Sequence, residues 1–213
     1  LAIGVLVGLT GVGGGAVMTP VLILFFGVQT ITAIATDLLF ATITKMVATV
    51  FHSRQRTVDW PTARLIWRGS IPAAIIGVLV AYLLSQTLEM ALSVVLVLVL
   101  VFTSMTMLQR ETKSLAVRRN SAATAGGAFI GFSVATTSVG AGALGMALLR
   151  ALIGDKDPRR LVGTDLVHAI PIALIAGTGY AFLGFLDFSL LATMLLGSIP
   201  GVMLGTVLSN RFS

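Results

Sequence analysis

Seven long apolar segments, 1–26, 31–51, 65–85, 88–109, 122–150, 161–184 and 188–209, alternate with short polar connections. Each is about 20 residues or longer, the length a helix needs to cross the hydrocarbon core of a bilayer. The pattern predicts an all-α polytopic membrane protein. The most polar connection, 110–120, is basic and divides the chain near its middle.

The two halves repeat each other. Thr36-Asp37-Leu38 recurs as Thr164-Asp165-Leu166, and Val58-Asp59-Trp60 as Leu186-Asp187-Phe188. Gly69-Ser70-Ile71-Pro72 recurs unchanged as Gly197-Ser198-Ile199-Pro200. These pairs share one offset of 128 residues. The cluster Gly11–Gly15 recurs, one residue out of step, as Ser138-Val139-Gly140-Ala141-Gly142. Repeat 1 is therefore 1–117 and repeat 2 is 121–213. Nothing in repeat 2 matches 88–109, so the last helix of that repeat is absent from the chain. The start at Leu1 rather than Met implies residues in front. Internal duplication in a membrane chain points to a transporter with its site where the copies meet.

Composition agrees with the segments. The chain is 56% hydrophobic and 10% charged, where a soluble domain carries roughly 25% charged residues. The net charge of +6 does not indicate nucleic acid, because the basic residues lie in short loops, where the positive-inside bias puts them. The absence of Cys excludes disulfides, thiolate metal sites and thiol nucleophiles. Residues 1–26 lack the basic start of a signal peptide, and their glycine pattern returns at 131–145.

Charge placement sets the expected topology. The loop 52–64 holds Arg54, Arg56 and Arg64, while its equivalent 180–188 has no Lys or Arg. The connection 27–31 has none either, while its equivalent 154–160 holds Lys156, Arg159 and Arg160. Equivalent loops thus have opposite basic character, as in inverted-topology repeats. Inversion needs an odd number of crossings per copy. Glycine-broken, re-entrant helix pairs at 1–26 and 122–150 supply it and place 52–64, 110–120 and 154–160 in the cytoplasm. Full crossings by both segments put 154–160 on the opposite side. The re-entrant arrangement is the one expected here.

Two sets of residues carry candidate chemistry. The first is the glycine turns. Gly13, Gly14 and Gly15 in one copy, and Gly140 and Gly142 in the other, let backbone N–H groups approach a ligand. A helix starting there offers unsatisfied N–H groups and the positive end of its dipole to an anion. Thr136, Thr137 and Ser138 add hydroxyls. The competing reading is tight helix packing, since Gly4-x-x-x-Gly8 and Gly11-x-x-x-Gly15 fit the small-x-x-x-small pattern.

The second set is the intramembrane charges. Asp37 and Asp165 each lie early in an apolar segment, where ionisable residues face a cavity or a partner. Lys45 follows Asp37 by eight residues, about 80° round a helix. His168 follows Asp165 by three, on a neighbouring face. One reading pairs Asp37 with Lys45 and bonds Asp165 to His168 or to its own first turn. The other gives an acid and a histidine a coupling proton. Thr36 and Thr164 read as helix caps, and Trp60 and Trp67 as interface anchors. Nothing in the chain calls for a metal or other cofactor.

These motifs together resemble the sulfite exporter TauE/SafE family, also called the toluene sulfonate uptake permeases. The resemblance rests on the early glycine cluster with Pro20, the Ala-x-Ala-Thr-Asp run at 33–37, His52 and Val58-Asp59-Trp60. In the second half it rests on Gly140-x-Gly142, Gly163-Thr164-Asp165 and the Gly-Ser-Ile-Pro helix. The Asp after each Thr, where many members have Ser, is similar to a Thr-Asp subgroup of probable membrane transporters.

The resemblance implies a non-enzymatic secondary transporter in the bacterial inner membrane. Its implied partners are the lipid bilayer and a small sulfur-containing anion of the sulfite, sulfonate or thiosulfate class. The alternatives are a passive anion channel and an intramembrane aspartyl protease built on the two acids. The local sequence Gly163-Thr164-Asp165 does not match the Gly-x-Gly-Asp expected of that protease class.

Overall fold

The computed structural model describes residues 15–52, 58–87, 89–108, 119–154 and 158–212. Among them are eight α-helices and no strand. They are α1 Gly15–Phe26, α2 Thr30–His52, α3 Trp60–Thr87, α4 Glu89–Leu108, α5 Arg119–Thr137, α6 Ala143–Ile153, α7 Pro158–Phe182 and α8 Phe188–Phe212. Three stretches are long and apolar enough to cross a membrane by length and composition: Thr30–Val47, Trp60–Thr87 and Arg159–Phe182.

The distribution of polarity is that of a protein in lipid. The outward face of α4 carries Val94, Val97, Leu98, Val101, Phe102 and Met105, and that of α3 carries Ile75, Ile76, Leu79 and Leu83. The interior holds Thr36, Asp37, Lys45, Ser133, Thr164, Asp165 and His168, all buried. Apolar atoms facing out and charged atoms facing in is the order a hydrocarbon solvent selects.

The helix ends follow from local chemistry. Asp59 Oδ1 accepts the N–H of Thr62 at 3.2 Å and caps the start of α3. Asp187 Oδ1 does the same for α8, accepting from Leu190 at 2.9 Å. Gly154, at φ 82°, stops α6 and donates its N–H back to the Arg150 carbonyl at 2.9 Å.

The apolar segment 122–150 is not one helix. It breaks at 138–142, between the 19 residues of α5 and the 11 of α6. Ser138 stands at φ 60° and Gly140 at φ 105°, so the backbone reverses through the left-handed region. The break is buried: Ser138 is 5% exposed and Val139 0%. At 1.5 Å per residue α6 is about 16 Å long, roughly half a hydrocarbon core. In the first half the described chain opens with α1 at Gly15, an equally short helix of 12 residues. Gly13 and Gly14 lie outside the described residues.

The most extensive helix pair is α3 with α5. It is built on missing side chains. A Cβ at Gly69 would overlap the Thr124 carbonyl oxygen, one at Gly127 the Ile66 carbonyl, and one at Gly131 the Ser70 carbonyl. Backbones that touch this closely gain dispersion contacts along their length without needing a hydrophobic effect. Around this pair one apolar cluster joins α2, α3, α5 and α7 through Ile34, Leu38, Val78, Ile130, Ile172 and Tyr180. Tyr180 donates its hydroxyl to the Ala135 carbonyl at 2.7 Å. A second cluster docks α1 and α8 on α2 through Leu22, Phe40 and Leu191.

Gly131→Ala should therefore destabilise the protein by about 1–3 kcal/mol, because backbone rather than a flexible side chain must move. Gly179→Ala, whose Cβ would first meet Val78 Cγ1 at 3.4 Å, should be neutral or slightly stabilising. Thermal unfolding of the two variants in one detergent compares them directly.

Candidate functional site

Two helices bring four ionisable side chains into the interior. Asp37 and Lys45 come from α2, and Asp165 and His168 from α7. Asp37 and His168 are 0% exposed, Lys45 and Asp165 2%. Both helices are enclosed by neighbours: α2 by α1, α7 and α8, and α7 by α2, α3 and α6.

Asp37 is firmly held. Its Oδ2 accepts from the Thr19 hydroxyl at 2.6 Å and from the Ser138 hydroxyl at 2.9 Å. Thr19 comes from α1 and Ser138 from the α5–α6 break, so this carboxylate ties both short-helix regions to α2. Other polar atoms here have no hydrogen-bond partner among the described residues: Asp37 Oδ1, Asp165 Oδ1, Lys45 Nζ, and both His168 ring nitrogens. Lys45 interacts electrostatically with both acids, more strongly with Asp165 than with Asp37.

Asp165 faces the start of α6. A Cβ on Gly145, the third residue of that helix, would overlap Asp165 Oδ1. The helix has Gly142 at its N-cap and no side-chain cap. A carboxylate beside such an end is favoured by the helix dipole, by about 0.3–1 kcal/mol at a surface and up to about 2 when partly buried.

The structure gathers some of the sequence-derived candidates and separates others. Asp37, Lys45, Asp165, His168 and Ser138 fall in or beside this interior. Thr136 donates to the Phe132 carbonyl at 2.9 Å and Thr137 to that of Ser133 at 2.7 Å, so both hydroxyl protons serve their own helix. Gly140 takes the positive φ of the break, whereas Gly142 is right-handed. Of the local pairs suggested by helix spacing, Asp37 and Lys45 are coupled electrostatically without a hydrogen bond. Lys45 serves both acids, and His168 gives no hydrogen bond to Asp165.

Thr36 and Thr164 do not cap their own helices. Thr164 Oγ1 accepts the backbone N–H of Asp59 at 2.9 Å. Thr36 Oγ1 accepts that of Asp187 at 3.4 Å. Each threonine thus holds the capping aspartate of the other half of the chain. Asp59 also receives Arg160 Nη2 at 3.0 Å. Trp67, expected as an interface anchor, is partly buried and donates Nε1 to the His168 carbonyl at 3.2 Å, fixing α7 to α3 one turn before Pro171. Nothing in the hydrophobic pattern marks Thr19 or Gly145. The reciprocal role of the threonines was signalled only by the shared offset of the two motif pairs. Among the described residues no group of three or more His, Cys, Asp or Glu stands in a metal-binding arrangement.

A lysine, two acids and a histidine are enclosed here by apolar helices. The whole chain, residues 1–213, matches the family model for the sulfite exporter TauE/SafE. The chain belongs to this family. It is 35% identical to the probable membrane transporter protein YjnA of Bacillus subtilis (strain 168), over 100% of this chain and 89% of that one. It is 23% identical to the probable membrane transporter protein YdhB of the same organism, over 98% of this chain and 86% of that one. No solved structure matches.

Lys45 is the one cation coupled to both acids in this interior. Lys45→Met should leave two carboxylates buried without the cation coupled to them and destabilise the protein at neutral pH. Acidification protonates the carboxylates, so the loss should shrink as pH falls. Unfolding of wild type and variant across a pH series reads this out, and a pH-independent difference would contradict it.

Proposed function

We propose that this chain is a secondary transporter of a small sulfur-containing anion, of the sulfite, sulfonate or thiosulfate class, across the bacterial inner membrane. The carrying observation is the Lys45 ammonium, buried and without a hydrogen-bond partner among the described residues, coupled to the acid that sits on the start of α6. A buried ammonium with free donors and the positive end of a broken helix both favour an anion. Family membership supports the same direction.

The transport cycle in this reading uses two inverted repeats, 1–117 and 121–213, that rock against each other around the central charges. The reciprocal bonds Asp59–Thr164 and Asp187–Thr36 support the two-fold relation, since the 128-residue offset turns one into the other. Re-entrant pairs ending in α1 and α6 make the crossings odd in each repeat. The glycine turns around Gly13–Gly15 and Gly140–Gly142, with Ser138 and its neighbours Thr136 and Thr137, line the anion path. Asp165 and His168 carry the coupling proton, which a passive channel would not need.

Single cysteines placed at Ser53, Gln109 and Lys156 should all be labelled from the cytoplasmic side of intact cells. Labelling of the Lys156 position from outside alone would contradict the re-entrant arrangement. Gly140→Val forces a β-branched residue to φ 105° and should abolish anion binding while protein still reaches the membrane.

Asp165→Asn should flatten the pH dependence of anion flux into liposomes and keep measurable binding. A variant with the full wild-type pH response would remove proton coupling through this residue.

A further inference from the structure

The contact between Asp165 and Gly145 has a chemical meaning beyond packing. Gly145 lies in the first turn of α6, and the space its Cβ would fill is occupied by Asp165 Oδ1. The helix supplies no capping side chain of its own at Gly142. The first-turn amides of Leu144 and Gly145 donate to the Gly140 carbonyl, so Asp165 Oδ1 stands against α6 without accepting a hydrogen bond from it. A protein carboxylate thus takes up buried space beside the positive end of α6, where negative charge is favoured.

The two acids differ in how easily they can leave. Asp37 Oδ2 is fixed by two hydroxyls, from Thr19 and Ser138. Asp165 Oδ1 has no hydrogen-bond partner among the described residues. Lys45 Nζ and the His168 ring nitrogens are likewise buried and unpartnered. Lys45 interacts electrostatically with both Asp165 and His168.

The surrounding charges are few. From α2, Asp37 and Lys45 face this interior. The other charged side chains on α3 and α6, Arg64, Arg68 and Arg150, are exposed. The buried end of α5 and the break after it offer Ser133, Thr136, Thr137 and Ser138, all uncharged. On α7 itself, Arg159 and Arg160 are exposed, and Arg160 pairs with Asp59 beyond the cluster.

We propose that Asp165 is the resident anion of the transport site. Its carboxylate fills the seat at the first turn of α6 that the substrate anion takes, and the substrate enters as Asp165 accepts a proton from water and swings away. With both acids ionised and His168 neutral, the cluster of Asp37, Asp165 and Lys45 carries one net negative charge. A second uncompensated negative charge in this apolar enclosure is prohibitive. Protonation of Asp165 keeps the count unchanged when a monovalent anion arrives. Lys45, the His168 N–H and the new Asp165 O–H then donate to the substrate. Gly145 is a specificity-determining residue here, since any side chain closes the seat. The exchange rests on the anion-transport reading above and specifies how its proton and its anion share one place.

The test is calorimetric binding of methanesulfonate and of ethanesulfonate, monovalent anions that hold fixed charge around neutral pH, to the purified full chain in detergent. Titration in two buffers of different ionisation heat gives the protons taken up per anion. Wild-type protein should take up about one proton from solvent per methanesulfonate, and its apparent affinity should fall about tenfold per pH unit on the alkaline side, as the competent protonated fraction falls. Asp165→Asn, close in shape to the native residue, should bind with no proton uptake and no pH dependence. Gly145→Ala should lose binding of both anions. Proton-free binding by the wild type overturns the exchange and leaves the anion reading standing. Proton uptake retained in Asp165→Asn does the same. Binding of neither anion to the wild type overturns the anion reading and the exchange together. The wild-type measurement decides without either variant, so a variant that fails to fold does not shield the proposal.

Discussion

The structure depends on enclosing Lys45. An ammonium removed from water costs several kcal/mol unless opposite charge stands close by, and two carboxylates from different helices stand in electrostatic reach of this one. That charge balance spans α2 and α7, because Lys45 rides on the first and Asp165 on the second. It also draws in α1 and the α5–α6 break, whose Thr19 and Ser138 hydroxyls satisfy Asp37. The remaining helices then surround this pair with apolar surface.

What makes such enclosure possible is the absence of side chains elsewhere. Close backbone contact at Gly69, Gly127 and Gly131 lets α3 and α5 occupy little width. The chain can then reverse within the bundle at Ser138–Gly142 rather than at its surface, where loops ordinarily run. A buried reversal leaves helix-terminal N–H and C=O groups inside the protein. Here the nearby Thr137 hydroxyl takes one of them, accepting the Val139 N–H at 3.2 Å. Irregular backbone at such depth is tolerated because protein, not lipid, surrounds it.

The elements were largely legible in the sequence, and the partners were not. Apolar segments announce themselves by length, and the acids by their cost in lipid. The glycines marked the break in 122–150, at Ser138–Gly142. Helix spacing ranks neighbours on one helix only. It offered Lys45 to Asp37 and His168 to Asp165. The interactions found cross between helices: Thr19 and Ser138 donate to Asp37, Asp165 lies against Gly145, and Lys45 is coupled electrostatically to Asp165 as well as to Asp37. No local periodicity encodes a meeting of residues 101 or 120 positions apart. The threonines illustrate the same limit. Read singly, Thr36 and Thr164 look like caps of their own helices. Seated in the bundle, each serves the aspartate that caps another.

That last pattern has a consequence of its own. Thr164 bonds Asp59, and Thr36 bonds Asp187. With the offset removed, both are the same threonine meeting the same aspartate. A contact of the form i-to-j and j-to-i is the signature of an isologous interface, the kind two identical subunits make across a two-fold axis. A single unfused copy pairing with itself would form this bond twice at no extra design. In this chain the two bonds differ: Arg160 reinforces Asp59, while the bond to Asp187 is the longer of the two. Two occurrences of one motif within a single chain can thus hold unequal contacts, which identical subunits across a two-fold axis could not.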